Sequence, residues 1–103
     1  MAEFDFAAHL HTTTETAYNN LVNDLTAMDA DKAAGTPHDA LRPAIKLVAE
    51  CGSVNSLLAG LITTGQAEMP SPEQRAAFFA SITTRDEAFA VLKDGTEKLY
   101  AAI

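Results

Sequence analysis

Glu50, Cys51 and Asn55 are the side chains best placed in this sequence to do chemistry. They sit within two turns of each other on one apolar stretch and form the candidate pocket. An ionised carboxylate among apolar neighbours needs a partner, and Lys46, four residues before Glu50, has the spacing of a helical ion pair. Glu50 therefore reads either as a ligand or acid–base group, or as part of a polar stripe with Lys46 and Ser53. A cysteine acts as a nucleophile in an electropositive, accessible setting. The neighbours of Cys51 are apolar, so it reads as a buried structural thiol. Asn55, one turn on, can donate into a pocket or satisfy a neighbouring helix.

Three histidines add little to this set. His9 and His11 are two apart, so on a helix they point about 200° away from each other and do not chelate one ion. His38 falls in a connection and reads as a turn or surface residue. The sequence has no Gly-rich phosphate loop, G-x-S-x-G, H-E-x-x-H or C-x-x-C. Phe78, Phe79, Phe89 and Tyr100 read as core or interface residues rather than a stacking platform.

The elements that carry these residues are helical. From about Asp5 to Met28, Ala7, Leu10, Thr14, Ala17, Leu21, Leu25 and Met28 step by three or four along one face. Thr12, Glu15, Asn19, Asn23 and Asp24 occupy the other side. Asp29 to Pro37 reads as a connection. A second helix begins near Pro43, where proline suits a first turn, and ends at Thr63 or Thr64 with Gly65 as its left-handed cap. It is apolar around most of its circumference, the mark of a central helix. Gly52 and Ala59 leave room for a close neighbour. Ser71-Pro72-Glu73-Gln74 predicts a capped start and a short helix to about Ile82. Thr84-Arg85-Asp86-Glu87 repeats the capping pattern and opens the last helix. Gly95 interrupts that helix at a cost of about 1 kcal/mol relative to alanine, which predicts a tight spot or a bend.

These signals predict a single all-α domain over residues 1–103, an up-and-down bundle of three long helices and a short one. The formal net charge of −7 and the scattered Lys and Arg residues disfavour nucleic acid and anionic membrane surfaces. One cysteine excludes an intrachain disulfide and fits a cytoplasmic protein. The N-terminal residues do not read as a signal peptide. The stretch Ala44–Ile62 reads as too polar for a membrane span, since Lys46, Glu50, Ser53, Asn55 and Ser56 interrupt it.

The segment from Pro43 through Val48-Ala49-Glu50-Cys51 and Val54-Asn55 to Leu61 resembles the second helix of the DinB-like superfamily of helical bundles, which includes thiol-dependent transferases. Pro72-Glu73-Gln74 through Thr84-Arg85-Asp86-Glu87-Ala88-Phe89 is similar to that family's third-helix region. The resemblance implies a four-helix bundle and, in members with a metal site, three histidine ligands to a divalent metal. Glu50 falls where the first histidine would stand, and the final helix with its histidine pair has no counterpart here. The chain thus resembles a member without a complete metal site, with no cofactor expected. The function expected is a non-catalytic, self-associating bundle. The alternative is a metal- or thiol-dependent transferase or hydrolase whose site is completed by further residues or a second chain. A homodimer is expected because three long helices leave a row such as Val54, Leu58, Leu61 and Ile62 uncovered, and because the helix ending at Tyr100 and Ile103 is still apolar. The rival is that the Ser71–Ile82 helix folds back and closes the bundle.

Overall fold

The computed structural model describes residues 4–35 and 43–103. Among them every regular element is helical: α1 (Phe6–Ala27), α2 (Ala30–Ala34), α3 (Ala44–Thr64), α4 (Pro72–Ser81) and α5 (Arg85–Ala102). Each boundary has a local cause. The Asp5 carboxylate accepts from Ala8 N at 3.0 Å and starts α1. Gly65 ends α3 with φ 77°, in the left-handed region where a side chain is disfavoured. Ser71 and Gln74 form a complete capping box, with Gln74 N 3.1 Å from Ser71 Oγ and Ser71 N 2.9 Å from Gln74 Oε1. Thr84 caps α5 through Glu87 N, while the Glu87 carboxylate accepts from Thr83 N and from both threonine hydroxyls. Those hydrogen bonds, led by the Thr83 hydroxyl, hold the Glu87 carboxyl below its ordinary range.

The Asp29–Pro37 connection is not wholly irregular. Ala30–Ala34 forms the five-residue helix α2, and Ala33 is fully buried. A single methyl is enough to seat so short a helix on the core.

The helices alternate in direction. The start of α1 meets the end of α5, where His11 Nε2 donates to Tyr100 O at 2.9 Å and the two rings stack at 4.0 Å. The start of α5 meets the end of α1, where Arg85 Nη1 donates to Met28 O at 2.7 Å and to Thr26 O at 3.3 Å. α4 leads the chain back from the far end of α3, so α5 runs parallel to α3. That pair is the tightest in the molecule. A methyl group at Gly52 would lie 2.7 Å from Leu92 Cα, and one at Gly95 would fall on the carbonyl of Gly52. Gly95 therefore marks a tight spot, and α5 passes through it without interruption.

The core lies at one end. Leu25, Ala33, Ile45, Val48, Ala49, Ile82, Ala88 and Leu92 form one buried cluster, drawn from the end of α1, α2, the start of α3, the cap that ends α4 and the first half of α5. The other end is open: Phe4, Phe6, Leu61, Ile62 and Met69 are exposed there. Short α4 buries none of its residues and leaves Val54, Leu58, Leu61 and Ile62 exposed, so its return does not cover that row.

α3 is also the one described helix long and apolar enough, by length and composition, to cross a membrane. Its polar residues do not remove it from that class, because only two of them, Lys46 and Glu50, are charged. The buried core helix of a bundle passes the same test, but only 28% of this span is buried.

Candidate functional site

Successive residues of α3 face different surroundings, because each step turns about 100° around the axis. The helix holds Ala49, Gly52 and Ala59 against α5. Its other sides present Glu50, Cys51 and Asn55 to three separate places.

Glu50 is half-buried at a cleft of about 310 Å³ between α3 and α4. Val54 and Leu57 from α3, Met69 and Pro70 from the loop, and Phe78 and Phe79 from α4 supply its apolar walls. Ser53, Gln74 and Arg75 share its polar edge with Glu50. α4 is held by its capping box at one end and by Ile82, a core residue, at the other, so the cleft has a defined far wall. Its size and lining are those of a small-molecule pocket at the lower limit.

Asn55 lines a different hollow of about 180 Å³ between α1 and α5, beside Thr14, Tyr18, Leu92 and Thr96. The Thr96 hydroxyl is buried there without a hydrogen-bond partner. Cys51 lies in neither space. It is exposed, on the side of α3 turned away from α5. This corrects the expectation of a buried thiol. Apolar neighbours in sequence do not bury a residue when no described helix covers the side they share.

The open side of α3 has a regular pattern that sequence reading had only partly resolved. Leu47, Cys51, Val54, Leu58 and Leu61 follow one another at intervals of four, three, four and three, and all five are exposed. This is the spacing of a helix–helix seam. The signal was present as a row at Val54, Leu58 and Leu61, but the members at Leu47 and Cys51 were missing from it. His11 and Arg85 were missed as well. Their partners lie on another helix, and spacing along the chain carries no mark of that.

Among the described residues no three His, Cys, Asp or Glu side chains come together to hold a metal ion. His38 lies outside the described residues. Glu50 and Arg75 bring opposite charges to the same cleft. The described residues offer an apolar face and a small amphipathic cleft. No family profile matches this chain, no curated protein matches it, and no solved structure matches it.

Proposed function

We propose that this chain is a non-catalytic helical-bundle module, of DinB-like kind with the metal position altered at Glu50, that works by associating with a second copy of itself. One observation carries the reading: the exposed row on α3, where Leu47, Val54, Leu58 and Leu61 each keep 42–45% of their surface in water. Apolar residues scattered singly need no explanation, but a contiguous stripe on a central helix does. The free, exposed thiol of Cys51 fits a reducing compartment, which supports a cytoplasmic setting. Neither nucleic acid nor an anionic membrane is a suitable partner for a chain of net charge −7. Sedimentation at micromolar concentration tests the reading. A species near twice 10.9 kDa supports it, and a compact, cooperatively folded species of 10.9 kDa overturns it.

The cleft beside Glu50 favours a second reading, an enzyme-like member whose site is completed by further residues or a second chain. Stoichiometric zinc or nickel in protein purified without an affinity tag, lost in Glu50→Ala, would establish it in place of the first.

A further inference from the structure

We infer that the hollow where α1, α3 and α5 meet is a binding site for a small uncharged molecule with an apolar ring and one hydroxyl, of the phenol class. Thr14 and Tyr18 of α1, Asn55 of α3 and Thr96 of α5 line it, so three helices bring polar groups to one space. Ala17, Leu21, Leu92 and Leu99 supply apolar walls. An apolar space with a few convergent polar groups is what a small-molecule site requires, and the gaps between the helices of a bundle are where such sites form.

Thr96 sets this hollow apart. Thr13, Thr14, Thr63 and Thr64 each donate the hydroxyl proton to a carbonyl four residues back on their own helix, at 2.7–2.9 Å. Thr96 does not. Its hydroxyl oxygen is buried and makes no hydrogen bond among the described residues. A helical threonine that forgoes that bond keeps its donor and its lone pairs for another partner. A buried polar group left unpaired is rare and costly, so a partner from outside the chain is favoured here. Asn55, half-buried beside the same hollow, adds an amide with both donors and acceptors.

Charge and size narrow the class. Among the described residues no charged side chain lines the hollow, so an ion entering it would lose hydration without gaining a counter-charge. An apolar cavity of about 150 Å³ takes benzene. This hollow holds about 180 Å³, room for the same ring and a hydroxyl directed at Thr96. Thr13 and Ala17 also line it and are exposed, so the hollow reaches the surface and a ligand enters without parting the helices. The site is independent of the self-association proposed above, which uses the exposed row of α3.

Titration of the full chain with phenol, benzene and benzoate, followed by two-dimensional NMR of the backbone amides, tests the site. Phenol is expected to shift the signals of Tyr18, Asn55 and Thr96 saturably, with a Kd on the order of 1 mM for so small a ligand. Benzene should bind about 3–10-fold more weakly for want of the hydroxyl, and benzoate more weakly still. Thr96→Val keeps the shape of the side chain and removes its hydroxyl, so it should erase the advantage of phenol over benzene. Asn55→Leu is the second variant, read in the same way. Phenol that leaves those three signals unmoved, or binds no better than benzene, overturns the proposal. So does equal preference for phenol in the unsubstituted chain and in both variants. Magnetisation transfer from water to the Thr96 hydroxyl that phenol does not displace would show a site for ordered water alone, and would overturn it as well. The three ligands are compared on the unsubstituted chain, so a variant that fails to fold does not remove the test.

Discussion

The two ends of this bundle use similar residues to opposite effect. At one end Leu25, Ile45 and Leu92 keep 1–2% of their surface in water, enclosed by four helices meeting there. At the other end Phe4, Phe6 and Ile62 keep 52–71%. The difference lies not in hydrophobicity but in how many elements are present. α2, the end of α1 and the starts of α3 and α5 converge on the packed end. The open end has only the start of α1 and the ends of α3 and α5, followed by the loop into α4. Apolar composition alone therefore does not tell a buried core from an exposed surface; the number of helices crossing at that level does.

The comparison can be broken most severely at the seam that joins α3 to α5. Helix propensity alone says that Gly95→Ala stabilises α5 by about 1 kcal/mol. The contact with the Gly52 carbonyl says the reverse, a loss of about 3 kcal/mol or more, because two backbones must separate. Urea unfolding followed by circular dichroism gives the sign, and a gain in stability would refute the close approach. Next, Leu92→Ala at the packed end is expected to cost about 3 kcal/mol, whereas Leu61→Ala at the open end costs the isolated chain less than about 0.5 kcal/mol. Equal losses would show that the ends do not differ. The same two variants measured at rising protein concentration sharpen the point, since under the proposed self-association Leu61→Ala then acts on association.

A smaller effect belongs to the cap that begins α5. Thr84→Ala removes the hydroxyl bonded to Glu87 N and should cost about 1 kcal/mol in the same unfolding experiment. Glu87 itself gives the smallest effect, visible through pH. Its folded-state pKa is lowered, so its contribution is present above the ordinary glutamate range of about 4.3 and fades as pH falls through the folded value. Glu87→Gln should therefore show a shallower loss of stability below about pH 4.3 than the unsubstituted chain, with other carboxylates supplying the remainder. Parallel stability curves would show that the hydrogen bonds from Thr83 and Thr84 do not persist in solution.

Much of the fold was legible because its signals are local. Gly65, the Ser71–Gln74 box and Thr84 each mark an end through atoms within a few residues, and each stands where the pattern placed it. Gly52 and Gly95 were legible as small residues, though not as partners of each other. α2 escaped notice because five residues give no periodicity to read. The candidate site was legible as residues but not as places. α3 is apolar nearly all round, so its sequence has no phase that tells which side remains uncovered. Glu50, Cys51 and Asn55 could be assigned to surroundings only once α4 and α5 were in position.

The two clasps between α1 and α5 have a consequence for chain length. Each uses a side chain near the start of one helix to satisfy carbonyls at the end of the other, groups that have no partner within their own helix. From His11 to Met28 is about 26 Å along α1, and from Arg85 to Tyr100 is about 23 Å along α5, at 1.5 Å per residue. The two helices are thus cut to one measure, like rods pinned at both ends. Inserting or deleting one residue between the pins of either helix turns one clasp by about 100° and shifts it by about 1.5 Å. Substitutions along the exposed side of α1 leave that measure unchanged. This helix should therefore accept many changes of residue and almost no change of length.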